Sequence, residues 1–415
     1  MRIVIHSLYF YPDKTGTAKY SGEMAQWLSA RGHQVSVITG FPHYPEWRLS
    51  PDYERVGFIT EQWGEVTVHR VPHYIPKSGR VRAKHRLWLD FTFAITTFLK
   101  MGRLALSRRP PELVIAVCPP MLSGMSAILC RVLRGTRWIY HIQDYQVDAA
   151  INLNIARFGL IGRMLYAVER VLLRSAQRVS SITPAMCRRA VDKGVAAEKV
   201  VLFPNWSDIA RFRGIARDNA FRRSLPIDDG TVLALYSGSI GAKQGIDLLV
   251  EVARCLADSP QIKLMVVSAG PEFEHLKALA AAAGVSNLLF GDLQPPEKLG
   301  ELLASADIHL IVQKAAAADL VMPSKLTNIL GIGRPSIATA EPGTALADVL
   351  VGDDVGVVVP PEDAEALAQA LRTLANDPER RARLGANALA YAEKNLDKDA
   401  ILNRFEDEIR AVCAA

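Results

Sequence analysis

Short apolar runs alternate with helical stretches twice along this chain, and that repetition restricts its fold more than any other feature. The first run is RIVIHSLY, residues 2–9. The loop YPDKTGTAKY follows and contains Gly16; a helical segment then runs to about Arg31, with Met24, Trp27 and Leu28 at helical spacing. Gly32 ends it, and QVSVIT (34–39) is the second run. Strands that are apolar on both faces belong to a parallel sheet covered by helices on both sides. Residues 2–39 therefore read as the first strand–helix–strand unit of a doubly wound α/β sheet. The unit lacks GxGxxG, Gly16 standing nearly alone, so a nicotinamide or flavin site has poor support.

Further strand-like pieces are 65–71, 113–118, 138–141, 179–183 and 200–204. Residues 208–230 are charged and turn-rich, which places a domain boundary between about 205 and 225. The alternation then restarts. Strands are expected at 232–237, 262–268, 287–290, 307–313, 336–339 and 355–359, with helices at 245–257 and 272–283 between the first of them. Amphipathic helices follow at 362–375, 378–391 and 399–412. The organisation implied is a first α/β domain over 1–205, a second over 206–395, and a helix within 396–415 free to pack back on the first.

Five scattered cysteines with no CxxC pair argue for a reducing compartment and against structural zinc. Met1-Arg2 leads directly into the first strand, with charges close behind, which does not read as a secretory leader. The longest uncharged apolar run, 113–130, is broken by Pro119, Pro120 and Gly124, so it reads as strand, turn and helix rather than a membrane span. The net charge of +6 conceals an asymmetry. Residues 1–205 carry 28 Lys+Arg against 14 Asp+Glu, net +14, and the remainder 21 against 29, net −8. A basic half points to an anionic partner: nucleic acid, a phospholipid surface or a phosphorylated substrate.

Two stretches of the second half suit an anion. In GSIGAKQG (238–245), Gly238, Ser239 and Gly241 let backbone N–H groups approach an oxyanion and Lys243 supplies charge. In ADLVMPSKLTNILGIGRPSIAT (318–339), Asp319 precedes Pro323-Ser324-Lys325, a helix start near Ser324, and Gly333 closes the helix. Neither is GxxxxGK[ST]. Together Lys243 and Lys325 suit a diphosphate at the carboxyl edge of the second sheet. In the first half, His141 and Asp144 stand where a strand ends; His141 reads as catalytic, acceptor-binding or structural. His141, Asp144 and Asp148 make a poor metal set, being confined to one segment. Lys77, Arg80, Arg82, Lys84 and Arg86 crowd ten residues, and the aromatic segment after them makes a sheet-covering helix with a membrane-facing basic loop. No nucleic-acid recognition module is visible.

These residues resemble a known family. The segment from His6 to Thr39, HIQDYQVDA (141–149), LFPNWSDIARF (202–212), YSGSIGAKQG (236–245) and DLVMPSKLTNIL (319–330) look like bacterial family 4 glycosyltransferases, in order and over nearly the whole chain. They match most closely the branch of colanic-acid fucosyltransferases and O-antigen N-acetylfucosaminyl transferases. The resemblance implies a GT-B fold: two Rossmann-like domains, the donor nucleotide sugar held mainly by the second and the acceptor by the first. It implies retention of anomeric configuration, no metal and no other cofactor. By motif, Lys243 falls on the lysine that contacts the donor diphosphate, Gly16 on the loop facing the transferred sugar and phosphate, and His141 on the histidine near the sugar.

The sequence departs from the family pattern at the glutamate pair eight residues apart, where Leu320 and Asn328 stand, and around Ser239, where an arginine is frequent. Asn328 can still bond a ribose hydroxyl, and Lys325 can replace the missing cation. The function implied is transfer of a fucose-like or N-acetylated deoxyhexose from a GDP- or UDP-sugar to a polyprenyl-diphosphate-linked saccharide. The enzyme would work at the cytoplasmic face of the membrane, in peripheral contact with anionic lipid. Two rivals stand beside it: a nucleotide-sugar 2-epimerase of similar fold, which needs acid/base carboxylates, and a non-catalytic membrane-bound scaffold, which needs neither lysine.

Overall fold

A computed structural model describes residues 1–13, 15–44, 47–54, 56–76, 83–148, 159–241, 244–315 and 323–414. Lys77, Arg80, Arg82, Lys243 and Asp319 lie outside the described residues. The chain divides into two compact units, Met1–Pro204 with Asp399–Ala415, and Asn205–Lys398.

The first unit is built on β1 (Arg2–His6), β2 (Gln34–Thr39), β3 (Ile59–Trp63), β4 (Val66–Arg70), β5 (Leu113–Cys118), β6 (Arg137–Ile142), β7 (Arg178–Ser181) and β8 (Val200–Leu202). They form one sheet in the order β3-β4-β2-β1-β5-β6-β7-β8. Every neighbouring pair is parallel except β3 with β4. The LVIAVC of β5 is buried throughout, as a central strand covered on both faces must be. β3 escapes the sequence reading because ITEQW is polar and half-exposed; Gly64, at φ +58°, turns the chain back, and Glu61 of β3 bonds Arg70 of β4 at 2.7 Å. The Gly16–Ala30 helix starts on Thr15, whose Oγ1 accepts the Ala18 N–H at 3.0 Å. Met24 and Leu28 face the sheet, while Trp27 lies half-buried under the Arg31 guanidinium.

The Lys398–Ala414 helix closes this unit from the far end of the chain. Ile401, Leu402, Phe405, Ile409 and Val412 are its buried stripe. Phe405 stacks on Phe203 with 3.7 Å between ring centroids, and Glu406 lies 3.0 Å from His33 Nε2.

The second unit is an all-parallel sheet of β9 (Val232–Ser237), β10 (Ile262–Ser268), β11 (Leu288–Asp292), β12 (Ile308–Ile311), β13 (Ser336–Thr339) and β14 (Gly356–Val359), in the order β11-β10-β9-β12-β13-β14. Leu249, Leu264, Phe273, Leu367 and Leu371 belong to one core, and Ile311, Leu326, Leu330 and Leu350 to another. The stretch 205–230 is fastened by Asp307. Its carboxylate accepts from Arg217 Nε at 2.5 Å, Arg222 Nη1 at 3.2 Å and the Leu233 N–H at 2.8 Å. The helix expected over 245–257 begins later, at Leu248, because Gly245 takes φ +60°, outside the helical region. Both units are doubly wound α/β sheets, as the alternation of runs predicts.

Candidate active site

In the second unit β9 ends at Ser237, and the chain turns through Gly238 at φ +130°, a conformation that side chains disfavour. The turn is pinned from three sides. The Gly238 N–H donates to Val267 O at 3.0 Å, Ser268 Oγ donates to Gly238 O at 2.8 Å, and Tyr236 Oη donates to Ser239 O at 2.8 Å. These bonds fix the Tyr236 ring below the loop, and Lys325 reaches over it, its ammonium nitrogen 3.4 Å from the ring centroid. A Cβ on Gly238 would stand 3.5 Å from that nitrogen, so the glycine leaves the lysine head a clear flank.

The Lys325 Nζ is buried and has no hydrogen-bond partner among the described residues. Burial lowers its pKa from 10.5 to about 7. Burial thus favours the neutral amine, and an anion placed beside Nζ would favour the charged form. The Lys325–Gly331 helix has seven residues and Ser324 makes no side-chain cap, so the charge available here is the lysine's, with little macrodipole behind it. Pro323 and Ser324 form the turn into the helix: Pro323 O accepts the Leu326 N–H, and Ser324 O accepts Thr327 Oγ1. Asn328 is half-buried in its second turn. Gly241 O accepts the Gln244 N–H at 3.0 Å, which tightens the loop just before the helix. Lys325 and Gly238 are thus brought together, and Ser239 joins them through Tyr236.

Tyr236 escapes the sequence reading, because only the fold places its ring beneath the lysine. Lys314 escapes it too. Its side chain crosses Gly245, where an added Cβ would meet Lys314 Cγ at 2.8 Å, so a second cation runs past the glycine-rich loop.

The first unit gathers its candidates at the carboxyl ends of β1 and β6, which flank β5. Gly16 is the first residue of its helix, with no acidic residue in the first turn. His141 stands near the carboxyl end of β6. It is buried, its Nδ1 lies 3.0 Å from Ser180 Oγ and its Nε2 3.3 Å from Gln143 Nε2. The Gln143 amide donates to Nε2, so Nδ1 carries the proton and donates to Ser180. The ring packs against Phe203, and burial pushes its pKa down to about 3. His141 is therefore a neutral, buried ring bonded to Ser180 and Gln143. Asp144 is half-buried, and its carbonyl accepts the Cys118 thiol. Asp148 accepts from Arg189 and Lys193. No three His, Cys, Asp or Glu side chains among the described residues converge as metal ligands.

A cluster that the motifs do not mark surrounds this edge. Gln146 receives the Met121 N–H at 2.6 Å and donates to Asp90 at 3.1 Å, and burial pushes the Asp90 carboxyl up to about 6. Asp13 accepts the N–H groups of His43 and Tyr44, and the Tyr9 and His43 rings stand 5.5 Å apart. Of the basic segment, Lys84 and Arg86 are described and exposed, the Arg86 guanidinium lying over Trp47.

Residues 15–206 match a family model described as a glycosyl transferase 4-like domain, and residues 217–390 one described as glycosyl transferases group 1. The chain is 39% identical over 416 residues to a protein of Escherichia coli K12 named as the colanic acid biosynthesis glycosyl transferase WcaI, covering 99% of this chain and 100% of that one. Among solved structures, sucrose-phosphate synthase of Thermosynechococcus elongatus superposes with a TM-score of 0.74 at 18% identity, covering 100% of this chain and 99% of that one. HepE of Anabaena, in complex with UDP and glucose, gives 0.70 at 15% identity, covering 99% of both chains. The two sheets carry the GT-B architecture of these neighbours, and the chain belongs to the family 4 glycosyltransferases.

Proposed function

We propose that this enzyme transfers a fucose-like or N-acetylated deoxyhexose from a GDP- or UDP-sugar to a polyprenyl-diphosphate-linked saccharide during exopolysaccharide assembly. The relative named for colanic acid biosynthesis supports the pathway class, and HepE, solved with UDP and glucose, supports a nucleotide-sugar donor. The observation that carries the reading is Lys325, a buried ammonium with no hydrogen-bond partner among the described residues, set beside a glycine turn. In glycosyl transfer the bond between the anomeric carbon and the diphosphate oxygen breaks, and both bonding electrons leave with the phosphate. Lys325, with Lys243 of the neighbouring loop, takes up that charge without a divalent ion. Asn328 bonds the ribose, Ser239 and Gly241 offer backbone N–H groups to the diphosphate across the turn that Gly238 makes, and Asp319, Pro323 and Ser324 belong to the donor-binding stretch. The acceptor hydroxyl attacks the same face of the sugar that the phosphate leaves, and its proton passes to a leaving phosphate oxygen, which retains configuration. In the first unit, Gly16 faces the transferred sugar and phosphate, Asp144 contributes to substrate binding, and His141 shapes the sugar site.

We further propose that the first unit meets the acceptor at an anionic membrane, peripherally and on its cytoplasmic side. No helix among the described residues is long and apolar enough to cross a membrane. A thermal-shift screen of purified protein against nucleotides and nucleotide sugars tests the donor. A shift with GDP- or UDP-sugars that Lys325→Met abolishes is expected. Transfer that survives in Lys325→Met at near-normal turnover would remove the site assignment, and activity that vanished with a chelator and returned with a divalent ion would remove the metal-independent scheme.

A further inference from the structure

Five cations surround one pocket at the amino-terminal edge of the first unit's sheet, the edge opposite His141 and Asp144. The pocket holds about 390 Å³ and is lined by Arg131, Arg137, Arg174, Arg178 and Lys199, with no acidic residue in its wall among the described residues. Arg137 opens β6 and Arg178 opens β7. Arg131 and Arg174 stand in the last turns of the Ser123–Arg134 and Gly159–Ser175 helices, and Lys199 immediately precedes β8. Along β6 the pocket is about 13 Å from His141, at 3.3 Å per residue.

The charges are held but barely neutralised. Arg178 alone has a carboxylate, Glu408 at 3.0 Å. Arg137 donates to the Cys413 carbonyl at 3.0 Å, and Arg131 to the Ser175 carbonyl. Arg131, Arg137, Arg174 and Lys199 have no carboxylate partner among the described residues. Helix carboxyl ends favour cations, which accounts for one arginine at each helix end. It does not account for a cavity between them ringed by five, because converging like charges repel. The volume falls within the range of ligand sites, about 300–1,000 Å³. Guanidinium forks pair two N–H groups with two oxygens of one phosphate, so arginine-lined walls match phosphate better than a point anion.

We propose that this pocket binds a phosphate-bearing anion, a soluble diphosphate or the headgroup of an anionic lipid, at a site separate from the donor site. The test compares wild type with Arg131→Gln/Arg174→Gln/Lys199→Gln, whose side chains line the pocket outside the machinery assigned above. Two probes are used: inorganic diphosphate by titration calorimetry, and phosphatidylcholine vesicles with or without phosphatidic acid by co-sedimentation. The variant leaves the second unit untouched, so diphosphate bound there cancels in the comparison. An unchanged unfolding temperature shows that the variant is folded. Diphosphate affinity weakened about tenfold or more in the variant supports the soluble source. Loss confined to phosphatidic acid vesicles supports the lipid source. Equal binding by both proteins to both probes, or binding of neither probe by wild type, overturns the proposal.

Discussion

Lys325 couples stability and ligand affinity to pH with opposite signs. Its folded pKa of about 7 lies below the unfolded value of 10.5, so between those values the unfolded chain binds more protons. Stability of the second unit should therefore rise with pH across that window, and Lys325→Met should flatten the rise. An incoming diphosphate favours the charged form, so binding above pH 7 should take up a proton and weaken as pH rises. Titration calorimetry at pH 8, in two buffers of different ionisation enthalpy, reads that uptake; none would refute the assignment. His141 makes the contrasting case. Its folded pKa, about 3, is below the unfolded 6.5, so its contribution is complete above 6.5 and lost as pH falls toward 3. His141→Ala removes the ring from Phe203 and strips Ser180 and Gln143 of a partner, at a cost of about 2–4 kcal/mol. Denaturant unfolding measures that loss. A variant of unchanged stability that is nonetheless inactive would show that the ring touches substrate.

At the level of elements, the Ala83–Ala105 helix has two apolar faces. Leu89, Phe93, Met101 and Ala105 are buried, whereas Leu87, Trp88, Phe91, Ile95, Phe98 and Leu99 are exposed along the other side, with Lys84, Arg86 and Arg103 among them. An exposed stripe of that size beside cations fits the interface of an anionic bilayer. Each Lys or Arg near such a surface adds about 1 kcal/mol. Trp88→Ser/Phe91→Ser should lower co-sedimentation with phosphatidylglycerol vesicles at all salt concentrations, and Lys84→Gln/Arg86→Gln at low salt only. Equal partitioning of all three proteins would dismiss this surface. The sequence marks the helix as core and the loop before it as membrane-facing, because both stripes repeat with one period and periodicity cannot tell an inner from an outer face. The same limit governs the site. Lys325, Gly238 and the two doubly wound sheets follow from glycine, proline and apolar spacing. The burial of His141 does not, since Phe203 and the Lys398–Ala414 helix come from distant parts of the chain. Tyr236 meets Lys325 only because β9 lies beside β12 in the sheet order, which no local pattern encodes.

For the whole molecule, the path of the chain sets how stability is divided. It leaves the first unit at Pro204, builds the second, and returns at Asp399 to supply the first unit's last helix. That helix is held by the Phe405–Phe203 stack and by Glu406, which bonds His33. Burial opposes the Glu406 charge, yet the bonds from His33 and Arg410 keep its pKa below the usual 4.5. The contribution of Glu406 is thus complete above 4.5 and lost as pH falls through the lowered value. Donor ligands, by contrast, are assigned to the second unit and stabilise only what they bind. Scanning calorimetry should therefore resolve two transitions that respond to different changes. Phe405→Ala, which empties a fully packed position, should cost about 3–5 kcal/mol and lower one transition. A saturating nucleotide should raise the other and leave the first in place. If Phe405→Ala and the nucleotide displaced the same transition, either the units unfold as one or the donor site draws on the first unit, and a Lys325→Met scan with nucleotide separates these outcomes. In the first case the variant still shows one transition, now insensitive to ligand; in the second, the nucleotide still raises it.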